Sequence, residues 1–225
     1  VLPVLPPLEK EGKNMSNRIV KDAIALTVIT LISGLLLGLV NDITADPIAK
    51  QEAKEKSEAY KAVFADAASF ETLTDTEDPD LEAYLDDQGY QGESINEVML
   101  AKDDSGNVLG YAFTITTSEG YGGDIKFAMG VKDDGTMTGI SFLSISETAG
   151  MGMRADMDDF KDQFKDRKTE KITYTKTGAA GADQIDALSG ATITTNAVTN
   201  AVNAGICYAG ALGAGSAEQG GDTDE

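Results

Sequence analysis

Residues 97–145 read EVMLAKDDSGNVLGYAFTITTSEGYGGDIKFAMGVKDDGTMTGISFLSI. Four runs rich in Val, Ile, Phe and Thr (Glu97–Ala101, Leu109–Thr117, Asp124–Val131 and Thr136–Ile145) read as strands. The segments between them, DDSGN, SEGYGG and DDGT, carry the Gly, Asp, Asn and Ser of tight reversals. Three successive short links leave no length for crossover helices, so the strands form an antiparallel meander.

Helical patterns flank this block. On its C-terminal side, Asp156 to Lys168 (DMDDFKDQFKDRK) runs from acidic to basic and places Met157, Phe160 and Phe164 on one face, as a surface helix does. Lys171–Thr175 adds a strand, and a final helix is expected from about Thr194 to Ala209. The segment 213–225, GAGSAEQGGDTDE, lacks apolar content and is expected to be a disordered acidic tail. On the N-terminal side, Asp80–Asp87 reads as a short helix. Asp46-Pro47 reads as the N-cap and first residue of an Ala/Glu/Lys-rich helix reaching about Phe70. The class is α+β.

Ala23–Asn41 is a 19-residue stretch without a charge, and eleven of its residues are Leu, Ile or Val. Its length matches a bilayer. At roughly −0.3 to −0.6 kcal/mol for each such residue, the gain on insertion is about 3 to 7 kcal/mol before Ser, Thr and Gly reduce it. A signal peptide is the competing reading, but the run exceeds a usual secretory core and no small-x-small cleavage site follows before Asp42. Lys10, Lys13, Arg18 and Lys21 precede the span, whereas Asp42 and Asp46 come first after it. This asymmetry keeps the N-terminus cytoplasmic and sends the rest across. Gly34-x-x-x-Gly38 within the span is compatible with close helix packing or with no role. Met15 is a candidate start. The organisation expected is a cytoplasmic N-terminus (1–22), a transmembrane helix (23–41), a helical connector (42–90), a sheet domain (91–212) and the tail (213–225).

Composition narrows the chemistry. The formal net charge is −20, and residues 42–225 carry 14 Lys and Arg against 35 Asp and Glu. Such a chain has no clustered cations with which to grip nucleic acid or anionic lipid. It has no His and one Cys, Cys207, so His-ligated metals, a Ser-His-Asp triad, an intrachain disulfide and a four-thiolate iron–sulfur cluster are excluded. Redox work, if done here, falls to an organic cofactor. Cys207, set among Ala and Gly, reads as a packing residue.

Asp186-Ala187-Leu188-Ser189-Gly190-Ala191-Thr192 is a short Gly-containing turn opening into a helix. The first amides of a helix lack internal partners and its dipole is positive there, so a phosphate is stabilised at that point. Gly190 and Ala191 keep bulk away, and Thr192 offers a hydroxyl beside the phosphate position. Read alone, the stretch serves equally as a turn and N-cap, with Thr195 a further capping candidate.

This stretch resembles the recognition sequence of the transferase that esterifies FMN to threonine. The likeness is to the G subunit of the Rnf complex and its relative, the C subunit of the sodium-translocating NADH:quinone reductase. Two further segments agree with the family in order and spacing: Tyr121-Gly122-Gly123-Asp124-Ile125-Lys126, and Ser146-Glu147-Thr148-Ala149-Gly150-Met151-Gly152. The resemblance covers about residues 15–210. It departs at Ala149, where the family has Pro, and at Ser144 and Ser146, where the quinone-reductase relative has His; the latter departure favours the Rnf type.

The resemblance implies an antiparallel-sheet FMN-binding domain behind a single N-terminal transmembrane helix. It implies FMN joined by a phosphoester to Thr192, with Asp186, Ser189, Gly190 and Ala191 as the recognition turn. Glu147, Thr148, Gly150 and Gly152 are expected to line the pocket, and Tyr121, Gly122 and Gly123 to shape its rim. Arg154 is either a counter-charge for the cofactor or the partner of Asp156 or Asp158. The implied role is one-electron relay in an ion-translocating ferredoxin:NAD+ oxidoreductase. The implied partners are its other membrane, iron–sulfur and flavin subunits, with a flavin transferase acting during maturation. The domain is expected on the extracytoplasmic side of the cell membrane, and the ion path in other subunits, since the span holds no ionisable residue. A free-standing extracellular flavin carrier and a flavin-less tethered sensor domain remain alternatives at this point.

Overall fold

The computed structural model describes residues 8–74 and 79–215. The chain falls into two compact units, Val1–Ala53 and Lys54–Glu225. A continuous helix, α1 (Leu8–Val63), begins in the first and ends in the second. It contains a stretch apolar enough to cross a bilayer, none of it buried by protein. Ile24, Leu26, Ile29, Leu31, Leu35, Leu37 and Leu39 all stand exposed along it. That exposure is what a lipid-facing helix shows and a soluble core helix does not.

The break expected at Asp46-Pro47 is absent: Pro47 lies inside α1. Pro47 lacks an N–H, so one rung is missing at the carbonyl of Ile43, and the helix runs through it. The Thr44 hydroxyl, one turn earlier, donates to the carbonyl of Val40 at 2.9 Å. The helix also stops sooner than Phe70. Residues 69–74 form strand β1 (Ser69–Thr74), the first strand of the sheet, and α2 (Pro79–Asp87) packs its Leu81 and Leu85 into the core. Much of the stretch expected to be a connector therefore belongs to the second unit.

The meander is present as read, with longer first and slightly shifted later strands: β2 (Glu93–Lys102), β3 (Val108–Thr117), β4 (Ile125–Lys132) and β5 (Met137–Ser144). The sheet order is β1-β2-β3-β4-β5, each pair antiparallel. After β5, the single helix expected over 156–168 is broken. A 3₁₀ turn (Gly152–Asp156) leads to one α turn, α3 (Asp158–Lys161), and another 3₁₀ turn (Asp162–Phe164). Phe160 and Phe164 are buried and meet edge-on at 5.4 Å, but Met157 is 55% exposed rather than inward. Thr173–Thr175 (β6) pairs in parallel with Gln184–Asp186 (β7), a strand too short to read from periodicity. The last helix, α4, runs Thr192–Ala211 and so begins two residues before the expected start.

Both faces of the sheet are covered. On one, Ala197, Val198, Ala201, Val202 and Ala204 of α4 pack into a core with Ile95, Phe113, Ile115, Phe127 and Met129. Gly205 allows the approach, since a Cβ there would meet Ile115 Cδ1 and Met129 Sδ at 2.7 Å. On the other face, Ala59, Tyr60, Val63 and Phe64 of α1 lie over Ala101, Ala112 and Ala128. Alanines across three adjacent strands make a shallow seat into which the larger side chains fit. Each fully buried Phe or Ile contributes about 1.5–3 kcal/mol. Of the expected tail, residues 213–215 are ordered, with the Gly215 amide donating to the Asp133 carbonyl at 2.8 Å; the rest lies outside the described residues.

Candidate functional site at the start of the last helix

Three loops meet at the N-terminal end of α4. The first links β3 to β4 and contains Gly120 to Gly123. A Cβ on Gly122 would lie 2.2 Å from the Ser146 carbonyl oxygen, and one on Gly120 would lie 2.2 Å from that of Gly123. Only glycine permits the two loops to touch here. The second loop follows β5 and holds Glu147, only 8% exposed. Its Oε1 accepts the Gly122 amide at 3.1 Å and its Oε2 accepts the Thr194 hydroxyl at 3.0 Å. One carboxylate thus ties both loops to the first turn of α4. Gly152 leaves room for it, because a Cβ there would stand 2.6 Å from Glu147 Oε2 and from Thr194 Oγ1. Between them, the Thr148 carbonyl accepts the amides of Met151 (3.1 Å) and Met153 (3.2 Å), around Gly150 with φ +75.

The third loop is the turn from β7 into α4. Gly190 has φ +79, a conformation other residues resist. The Thr195 hydroxyl accepts the Leu188 amide at 3.1 Å and donates to the Ala191 carbonyl at 2.9 Å, fixing the turn from inside. Thr195 is therefore committed to the turn, while the N-cap position, Ala191, offers no side-chain cap to α4. Thr192, half-buried, is the first helical residue. Ser189 and Gly190 are exposed. The first amides of a helix left uncapped are free to meet an anion.

The expected site residues are thus partly gathered. Gly122, Glu147 and Gly152 converge on Thr194, two residues from Thr192, and Met151 Cε lies 3.5 Å from where a Gly190 Cβ would be. Tyr121 (70% exposed), Met151 (45%) and Ile193 (51%) present apolar surface around this mouth. Asp186 is placed elsewhere. Its carboxylate accepts the Ala179 amide at 2.7 Å, and its main chain is held on both sides by Gln163, which accepts its N–H at 2.6 Å and donates to its carbonyl at 3.3 Å. Arg154 is exposed and lines a cleft of about 310 Å³ with Gln163, Asp186 and Leu188. Asp156 and Asp158 instead pair with Lys161, at 3.2 and 3.5 Å.

Several residues here escape a reading of the sequence. Thr194 binds Glu147. Asn200 and Asn196 donate to Glu119 Oε2 at 2.7 and 3.4 Å, tying the glycine-rich loop to α4 from outside. Asn196 and Asn200, at i and i+4 on a helix with no charged residue, are the signal that marks this contact.

Comparison with known proteins bears on what this mouth holds. Residues 120–206 match the FMN-binding domain family, from the glycine-rich loop into α4, and residues 15–63 match the RnfG N-terminal region. The G subunit of the Na(+)-translocating ferredoxin:NAD(+) oxidoreductase complex of Acetobacterium woodii is 32% identical over 83% of this chain and 89% of its own. The G subunit of the ion-translocating oxidoreductase complex of Methanosarcina acetivorans is 32% identical over 87% and 97%. The chain belongs to this family of Rnf G subunits. A proton-translocating counterpart from Clostridium ljungdahlii is 30% identical over 80% of this chain and 86% of its own. Among solved structures, NqrC of Shewanella oneidensis is 21% identical with a TM-score of 0.45, over 53% of this chain and 59% of that one.

As an Rnf G subunit with an FMN-binding domain, the chain has residues suited to that cofactor. The uncapped helix start suits a phosphate, Thr192 is its first residue, and the glycines let the loops beside it pack closely. The apolar span of α1 fits a membrane-anchored protein.

Proposed function

We propose that this chain is the membrane-anchored flavoprotein component of an ion-translocating ferredoxin:NAD+ oxidoreductase complex and relays electrons through one FMN esterified to Thr192. The relatives' names supply the complex. The covalent assignment rests on one observation: Thr192 is the first residue of a helix whose start has no side-chain cap, at the meeting point of the glycine-rich loop and the Glu147 loop.

FMN supplies the one-electron chemistry. The chain's residues bind and orient. The N-terminal amides of α4 and its dipole stabilise phosphate within a strongly acidic domain. Glu147 fixes the loops against α4, and Gly190 and Ala191 keep side chains clear of the ester. Tyr121, Met151 and Ile193 supply apolar area for a ring system. Ser189 stands on the exposed part of the turn, where a flavin transferase reaches it, while Asp186 holds the loop between β6 and β7 through the Ala179 amide. The charge asymmetry around the span favours a flavin domain outside the cytoplasm, where a covalent bond retains a cofactor that cannot be replaced from the cytoplasmic pool.

Flavin fluorescence in a denaturing gel tests the attachment. The chain, produced together with a flavin transferase, should give a fluorescent band that Thr192→Ala abolishes while the domain stays folded. A band that survives Thr192→Ala but vanishes in Ser189→Ala or Thr194→Ala moves the ester elsewhere.

A further inference from the structure

We propose that Glu93 is a proton-binding site beneath the glycine-rich loop, a carboxylic acid kept neutral in the folded domain that governs how firmly residues 118–124 are held. Glu93 opens β2 and faces Thr117 across the ladder. It is 4% exposed. Its Oε1 accepts the Thr117 hydroxyl at 3.2 Å, while its Oε2 is buried with no hydrogen-bond partner among the described residues. An ionised carboxylate in that position leaves a full charge desolvated and one oxygen unpaired. A protonated one carries no charge.

The surroundings favour the neutral form. Glu119, from the loop after β3, is the titratable group that acts on Glu93, and Tyr90, from the turn after α2, feels Glu93 in turn; neither is a cation. Asn196 and Asn200, on the α4 turns that bind Glu119, are uncharged. Among the described residues, neither Glu93 nor Glu119 takes part in an ion pair. Burial, with Glu119 adding to it, pushes Glu93 up to about 8.

The connection to the loop runs through one hydroxyl. Thr117 Oγ1 donates to Glu93 and accepts the Glu119 amide at 3.2 Å. The Glu119 carboxylate in turn receives Asn200 and Asn196 from α4. Gly120 follows directly, and Gly122 meets Glu147. Losing the Glu93 proton to solvent places two carboxylates at the same end of β3. The exposed brace from Glu119 to Asn200 is the weaker fixture and yields first. The consequence for cofactor binding rests on the function proposed above, but the protonation of Glu93 does not.

Carboxyl carbon NMR on the full chain in detergent micelles, labelled with ¹³C-glutamate, tests this directly, with Glu93→Gln assigning the signal. One glutamate should show an inflection near pH 8, absent in Glu93→Gln. Amide exchange at Gly120, Gly122 and Gly123 should accelerate through the same pH beyond the base-catalysed trend in the wild type and follow that trend alone in Glu93→Gln. Glu119→Gln, which removes the opposing charge, should move the inflection to lower pH. Titration of Glu93 in the ordinary range near 4.5, or loop exchange identical in wild type and Glu93→Gln, overturns the proposal. The titration is read with or without flavin on the chain, so its failure is separable from failure of the flavin assignment.

Discussion

Glu147 and Thr194, 47 residues apart, are joined by a hydrogen bond of 3.0 Å, and the other oxygen of the same carboxylate holds the Gly122 amide. Glu147→Ala strands the buried Thr194 hydroxyl, at about 1–3 kcal/mol, and frees the amide of the exposed Gly122. Denaturant unfolding of the variant should register a loss in that range, and flavin loading should fall with it. Glu147→Gln retains one acceptor oxygen and should lose less. An Ala variant as stable and as fully loaded as the wild type contradicts the bracing role.

Gly122→Ala tests the close approach of the two loops. Its Cβ would sit 2.2 Å from the Ser146 carbonyl oxygen, a backbone atom that moves only with its loop. Reduced flavin incorporation is expected, measured as the ratio of visible to ultraviolet absorbance. Gly34→Ala, on α1 with nothing within 4 Å of the added methyl, should leave incorporation unchanged.

The fold is largely legible where local chemistry and global packing agree. The runs around Phe113, Phe127 and Ile140 alternate, and their links consist of turn residues, so the meander follows from residues 97–145 alone. The departures have physical causes. Asp46-Pro47 carries a capping signal, yet the apolar run before it and the Ala/Glu/Lys-rich run after it both favour helix, and one missing N–H does not outweigh them. β7 has three residues and exists because Tyr174 pairs with Ile185, a contact no periodicity encodes. Phe160 and Phe164 point inward as their spacing requires, but the 3₁₀ turns on either side rotate Met157 out to solvent. At the site, Thr192 and the glycines are readable from motif and turn chemistry. Glu93, Glu119 and Gln163 are not, because their partners arrive from distant segments.

Stability should depend on pH with two opposite signs. Glu93 is raised in the folded state, from 4.5 to about 8. Its favourable contribution is therefore complete below pH 4.5 and is lost as pH climbs toward 8, at up to about 1.4 kcal/mol per pH unit. Asp103, bonded by the Asn107 side chain and by amides of its turn, and Asp134, bonded by the Thr136 amide, are held below the ordinary carboxylate value, so their contribution is present above that value and lost on acidification. Urea unfolding across pH 4–9 should show an alkaline decline that Glu93→Gln flattens. Parallel curves for the two proteins contradict this.

Tyr60, near the end of α1, places its hydroxyl 2.6 Å from both Glu97 Oε2 and Thr114 Oγ1, and Lys56 pairs with the same Glu97. Tyr60→Phe keeps the ring against Phe70 but leaves the fully buried Thr114 hydroxyl with one partner fewer. A loss of about 1–3 kcal/mol is expected on unfolding. Flavin loading should not change, since these residues lie on the opposite face of the sheet from α4.

The ester at Thr192 is tested most directly by the intact mass of the full chain, purified from cells that also make a flavin transferase, beside a Thr192→Val variant. The wild type should be heavier than its sequence by one FMN less one water, and the variant should have the bare mass. An unmodified wild-type chain, or a variant that keeps the added mass, contradicts the assignment.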